Sequence, residues 1–207
     1  MTDTQPTATA VRAARIKLVL LLVVFLSPVI LAVAVYFSGW RPFGTMVSGE
    51  LVTPPRALPE VTLARSPEGS FTTREFHRKW TLVYFEPTDC AAACYQRLHM
   101  LNQVHLSLGK DAERAQRLVV ALDRKSLARL RRLAVEFSGM QVVTGEPAAL
   151  QPLLAAFTVA TGNPAEAGGR IYLVDPLGNF MMSYPPDPDF RGLRRDLGRL
   201  MSVSMLR

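Results

Sequence analysis

Between Leu18 and Phe37 the chain runs for twenty residues without a charge, broken only by Ser27 and Pro28. A run of that length crosses a bilayer core as a helix, and membrane-spanning helices tolerate an internal proline. Further along, the apolar positions fall into two periods. Continuous β-rich runs at Trp80 to Phe85 and Arg117 to Asp123 have the length and branching of strands buried on both faces. Helical spacing follows each of them. Leu98, Leu101, Val104 and Leu108 line one face of a helix that starts near Cys94, and Leu127, Leu130, Leu133, Ala134 and Phe137 line another, with Ser126 as N-cap and Gly139 as stop.

A weaker strand at Gln141 to Thr144 and a helix from Pro147 to Phe157 come next. Ile171 to Val174, an Asp-Pro-Leu-Gly-Asn turn at 175 to 179 and Phe180 to Tyr184 form a hairpin. A last helix, from about Asp187 to Met201, is expected to bury Phe190, Leu193, Leu197 and Leu200 and to expose Arg191, Arg194, Arg195 and Arg199. The order β-α-β-α-(β-α)-β-β-α describes an α/β domain, a mixed central sheet with flanking helices, following one N-terminal transmembrane helix. The chain divides into an N-terminal tail at 1–17, the transmembrane helix at 18–37, an extended linker lying along the domain at 38–59, where prolines and glycines recur at turn spacing, and the α/β domain at 60–207.

Charge sets the orientation of the anchor. Arg12, Arg15 and Lys17 precede the apolar run closely and Arg41 alone follows it closely, so the tail is expected in the cytoplasm and the domain outside, with Tyr36 and Trp40 in the outer aromatic belt. A cleaved signal peptide, cut at Ala32-Val33-Ala34, is the rival reading; the apolar run is longer than an ordinary signal core. Either way the domain is exported. The tail lacks a long arginine- and serine-rich presequence, which favours a bacterial inner membrane with a periplasmic domain. The net charge of +7 includes the flanks of the span; without Arg12, Arg15, Lys17, Arg41 and Asp3, 20 basic residues face 16 acidic ones. That mild excess, with no aromatic-basic interleaving, gives no case for nucleic acid; an acidic partner or an anionic lipid surface is one reading of it, and a merely solvated surface is the ordinary one.

The chain's only cysteines, Cys90 and Cys94, stand in the stretch EPTDCAAACYQ, where the first central strand hands over to its helix. Loops at the carboxyl ends of such strands are where α/β proteins place their chemistry. A thiolate at Cys94 would gain from free backbone N–H groups at the helix start, and Cys90 is expected to be the more exposed of the two. Residues four apart there can meet the Cα separation a disulfide accepts, and export favours oxidation. Two thiolates can instead hold Cu(I), a soft ion that accepts low coordination. A third reading leaves both cysteines as inert packing.

The strand, Thr88-x-Cys90-x3-Cys94, the helix and the late Ile171-Tyr172-Leu173-Val174-Asp175-Pro176-x-Gly178 turn together resemble the Sco/SenC family over roughly residues 58 to 201. The resemblance implies a thioredoxin-like fold tethered to the inner membrane, copper bound through the two cysteines and a histidine, and a role in cytochrome c oxidase assembly. This chain departs from the family pattern. The histidine position, five residues before Tyr172, is Ala167, and no histidine follows His105. Ala91, Ala92 and Tyr95 stand where the family has proline, aspartate and proline, and Glu86-Pro87 where Gly-Phe is usual.

No other side chain is an obvious third ligand. His99 and His105 read as a surface and a half-buried histidine on helix geometry, and His77 has nothing special around it. Of Met181 and Met182, one must face the core in any strand. Glu86 and Asp89 read as solvated loop charges, Gly168-Gly169 as a flexible loop. Zinc has no N/S ligand set here.

The site residues are therefore Cys90 and Cys94, both as redox couple and as metal ligands, with copper as Cu(I) the possible cargo. The expected partners are the membrane and a cytochrome c oxidase subunit or another copper or thiol assembly factor. The competing readings are a non-catalytic assembly scaffold with a structural disulfide, and a general periplasmic thiol-disulfide oxidoreductase.

Overall fold

The computed structural model describes residues 8–38, 47–86, 91–166 and 168–204. The chain forms two compact units, divided between Met46 and Val47. The first contains α1 (Ala8–Ser38), which is long and apolar enough to cross a membrane over Arg15–Ser38. Its described side chains are exposed almost throughout. It starts ten residues before the apolar run, because alanine, arginine and lysine are good helix formers and carry the helix past the bilayer-length core.

In the second unit, β1 (Glu50–Ala57), β2 (Thr62–Ser66), β3 (Ser70–Thr72), β4 (Trp80–Glu86), β5 (Ala115–Ala121), β6 (Met140–Thr144), β7 (Ile171–Val174) and β8 (Asn179–Tyr184) form one sheet, ordered β1-β8-β7-β4-β5-β6-β2-β3. β4, β5 and β6 are mutually parallel, and all other neighbours are antiparallel. Of the helices, α2 (Ala91–Ser107), α3 (Arg124–Ala134) and α5 (Phe190–Val203) pack on one face and α4 (Pro147–Ala156) on the other.

Strand alternation supplies both cores. Trp80, Leu82 and Tyr84 of β4 meet Leu98, Leu101 and Val104 of α2, Leu130 of α3, and Leu193 and Leu197 of α5. Val83 and Phe85 point the other way, to Leu150 and Leu153 of α4 and to an aromatic cluster in which Phe157 lies 5.3 Å from Phe85, 5.2 Å from Tyr172 and 4.9 Å from Phe180, centroid to centroid. Each such side chain, fully buried, contributes on the order of 1.5–3 kcal/mol.

Three expectations need revision. The domain unit begins at Val47, because residues 50–57 of the expected linker run along the sheet edge as β1, paired with β8. Pro54 and Pro55 fall where that pairing shifts register, between Leu51 and Arg56, so neither proline breaks a regular ladder. The N-cap of α3 is Asp123 rather than Ser126: its Oδ1 accepts from the Ser126 amide at 2.7 Å and Ser126 Oγ accepts from the Asp123 amide at 3.1 Å, a capping box. In α5 the buried stripe is Gly192, Leu193, Asp196, Leu197 and Met201, while Phe190 is exposed and Leu200 half-buried.

Asp196 adds a buried carboxylate to that stripe. Its Oδ2 accepts from the Ser48 amide at 2.6 Å, the Gly49 amide at 3.3 Å and the Tyr184 hydroxyl at 3.4 Å, so a buried carboxylate fastens the first residues of the domain to its last helix. Burial and this carboxylate together drive the Tyr184 phenol far above its ordinary value. Asp196→Ala leaves two amides and a buried hydroxyl without their acceptor. It is expected to lower the unfolding free energy by about 3 kcal/mol in a urea titration followed by tryptophan fluorescence.

Candidate functional site

The parallel pairing of β4 with β5 ends at Glu86 opposite Ala121, and the chain then passes through 87–90, outside the described residues, into α2. Cys94 lies in the first turn of α2, is completely buried, and is disulfide-bonded. The chain's other cysteine, Cys90, lies outside the described residues, as do Thr88, Asp89 and Ala167.

Beneath Cys94, the phenol oxygen of Tyr84 is 3.2 Å from Sγ. A disulfide sulfur carries no hydrogen, so the phenol is the donor. Tyr84 in turn accepts from Arg97, one helical turn beyond Cys94, and Arg97 Nε donates to the Pro186 carbonyl at 2.7 Å. Burial pushes the Tyr84 phenol upward against the pull of the Arg97 charge, which keeps it a neutral donor at physiological pH. A guanidinium, a phenol and a sulfur thus form a relay on the α2 face of β4. On the far side of Arg97 stands Gly169, at φ +84°, where an added Cβ would sit 2.5 Å from the Arg97 Cζ. Gly169, in the stretch expected as a flexible loop, stands close to the guanidinium at a positive φ that glycine adopts without strain.

Glu86 departs from its expected place as a solvated loop charge. It ends β4 fully buried, because the strand runs one residue further than its apolar pattern. Its Oε1 accepts from Arg129 Nε of α3 at 2.6 Å, and Oε2 is buried without a partner. Burial pushes this carboxyl up to about 7, with Arg129 pulling the other way and Asp123 adding a smaller rise.

The histidines stand apart from the cysteine. His99 is exposed and stacks on Tyr95 at 6.3 Å, His77 is exposed beside Gly178, and His105 is half-buried, its imidazole pushed down by burial and then by Arg117 and Lys79. Met182 faces the core beneath the Tyr184 hydroxyl. Among the described residues, no group of three or more histidine, cysteine or acidic side chains is placed to hold a metal ion.

Residues 80–204 match the family described as the transmembrane-like, thioredoxin-like, C-terminal domain. The chain belongs to this family. Among solved structures, copper-bound yeast Sco1 is similar at TM-score 0.61 with 19% identity, covering 73% of this chain and 91% of that one. Copper-bound ScoI of Bradyrhizobium japonicum follows at 0.56 and 22%, covering 69% and 98%. A thiol:disulfide interchange protein from Bacteroides sp. scores 0.55 at 16%, covering 74% and 93%. No curated protein matches the sequence. The likeness settles the fold of this transmembrane-like, thioredoxin-like domain as the Sco type, a thioredoxin-like sheet with its helices, as the motifs imply.

The site residues that sequence reasoning missed are Tyr84 and Arg97. Two signals were available: Tyr84 shares the strand face of Trp80 and Leu82, and Arg97 falls one helical turn after Cys94.

Two outcomes follow. Between the ordinary carboxyl value of 4.5 and about 7, folded Glu86 holds a proton that the unfolded chain has released, so stability falls as pH rises through that window. Its contribution is at most about 3 kcal/mol, and urea titrations of Glu86→Gln at pH 5 and pH 8 should show a correspondingly smaller difference than the parent. Tyr84→Phe removes the donor to Sγ. Reduced Cys94 then loses a hydrogen bond that strengthens when the acceptor is a thiolate, so the variant should be alkylated roughly tenfold more slowly at fixed pH. Its disulfide potential should move about 30 mV more negative in a glutathione titration.

Proposed function

We propose that this is a membrane-anchored, Sco-like thiol-disulfide exchange protein whose Cys90 and Cys94 cycle between dithiol and disulfide during cytochrome c oxidase biogenesis. The observation that carries the reading is the oxidised Cys94 at the start of α2 over the Tyr84 donor and the Arg97 charge. A phenol donor backed by a guanidinium stabilises a thiolate when the disulfide opens, because a charged acceptor makes the stronger hydrogen bond. The oxidase link is supported by the Sco/SenC motifs and by the Sco-type fold, and the periplasmic location by the charge bias around α1.

In the exchange, the Cys90 thiolate attacks one sulfur of a partner disulfide and expels the other as thiolate. Cys94 then attacks the mixed disulfide at the Cys90 sulfur, releasing the second partner thiolate. Two electrons pass to the partner, which leaves as dithiol, and this chain ends as disulfide. The partner that such chemistry prepares is the cysteine pair of a copper-receiving oxidase subunit or an assembly factor.

Cu(I) enters as cargo. A two-coordinate bis-thiolate carries one net negative charge, which suits Arg97, and the copper-bound Sco relatives make it a natural ion to test. With alanine at the histidine position, the cysteines suit brief transfer better than storage.

The test uses the full chain, reduced without oxygen, with Cu(I) competition against a chelator and a potential measurement on the same sample. A potential near the thioredoxin value of about −270 mV, with exchange abolished in both Cys90→Ser and Cys94→Ser, is the expected result. Tight one-to-one copper retention lost in both variants would move the assignment to copper delivery. Folded serine variants that still support oxidase assembly would leave a scaffold. Equal activity on unrelated disulfides would make it a general oxidoreductase.

A further inference from the structure

Helix α5 carries one face that the dithiol chemistry leaves unused. Arg191, Arg194, Arg195 and Arg199 are all exposed, at spacings of three, four and eight residues from the first, and they line a groove completed by Ser107, Leu108 and Phe190. The helix has one acidic residue, Asp196, and it is buried. Across the groove, Asp111 is paired with Arg114 at 3.3 Å and adds no net charge. Arg194 and Arg195 each give one nitrogen to a neutral oxygen, the Ser107 carbonyl at 3.4 Å and Ser48 Oγ at 3.1 Å. No carboxylate among the described residues pairs with Arg191, Arg194 or Arg195.

Elsewhere the domain interleaves its charges, as in Arg74 with Glu60 and Arg65 with Glu75. Like charges three and four residues apart on a helix repel by about 0.2–0.5 kcal/mol a pair. Here 191 with 194 and 191 with 195 are two such pairs, an arrangement relieved by an anionic surface outside the molecule.

We infer that this face of α5 docks on the anionic phosphates of the membrane that anchors the chain. A flat bed of phosphates suits four guanidiniums along a helix about 21 Å long at 1.5 Å per residue. Phe190 and Val203, exposed near the two ends of the helix, flank the arginine face on either side. The chain enters the domain at this helix, since Ser48 and Gly49 are hydrogen-bonded to Asp196 and Ser48 to Arg195. A single covalent span keeps the lipid surface at high local concentration, so attraction of about 1 kcal/mol per arginine is sufficient. The inference rests on the membrane anchor and is independent of the cysteine chemistry.

The test is arginine footprinting of the full chain in nanodiscs. Phenylglyoxal modification, read by mass spectrometry, is compared between discs of phosphatidylcholine alone and discs with about a third phosphatidylglycerol. Arg191, Arg194, Arg195 and Arg199 should be modified at least threefold more slowly in the anionic discs, and 0.5 M salt should abolish the difference. Arg74, on the 3-10 turn after β3, should be unaffected. In a variant with Arg191→Gln, Arg194→Gln and Arg195→Gln, shown folded by circular dichroism, Arg199 should lose its protection. Equal modification in both lipids overturns the inference, as does protection without salt sensitivity or protection that appears only with an acidic protein present. A chain that fails to copurify with the discs overturns the anchor itself, and is seen before any modification.

Discussion

Strand β4 is closed to water on both faces over seven consecutive residues, Trp80 to Glu86, with β5 hydrogen-bonded along one edge and β7 along the other. A slip of one residue would send Tyr84 into the α4 core and Phe85 beneath α2, so the register is held by every side chain at once. Tyr84 is thereby kept on the α2 face, where Cys94 descends to meet its hydroxyl. Glu86 is the last residue of the strand and inherits its burial, which is why a glutamate at the mouth of a loop needs Arg129 to accompany it. The chemistry at this end of the sheet is a boundary condition of the strand.

The elements legible in the sequence were those with an unbroken apolar period. β4, β5, the hairpin from Ile171 to Tyr184 and the α2 stripe of Leu98, Leu101 and Val104 stand as expected, because each buries a regular row of side chains. β1 escaped notice because its partner β8 is more than a hundred residues away and its exposed, proline-bearing sequence carries no alternation. β2 and β3 are too short, at five and three residues, to show a period of their own. On α5 the core leucines and the exposed arginines stand as expected, whereas the burial of Asp196 is not legible, because a buried aspartate looks, in sequence, like a surface residue. Only the amides of Ser48 and Gly49, some 147 residues away, reveal what it does.

The candidate site divides in the same way. The cysteine pair announces itself by type, spacing and position, whereas Tyr84 and Arg97 acquire meaning only when α2 folds onto β4. Tyrosine in a buried strand is ordinary, and so is arginine on a half-exposed helix face. Their relay to Sγ is a tertiary fact, and it changes the chemistry of the pair from generic oxidation to a sulfur with a donor already in place.

That donor bears on the choice between holding a metal and exchanging electrons. A dithiol that must release its partner quickly needs its thiolate stabilised without rearrangement, and a phenol fixed by strand packing and backed by a guanidinium meets that need, being oriented before the bond opens. A metal store needs a third ligand side chain converging on the same sulfurs. Here Gly169, in the loop leading to β7, stands beside Arg97, and a side chain at that position would displace the guanidinium. Arg97 therefore borders this loop and also holds the Pro186 carbonyl. The same arginine that donates to the Tyr84 phenol also borders that loop, so the electrostatics around Sγ and the packing of the loop meet at one residue.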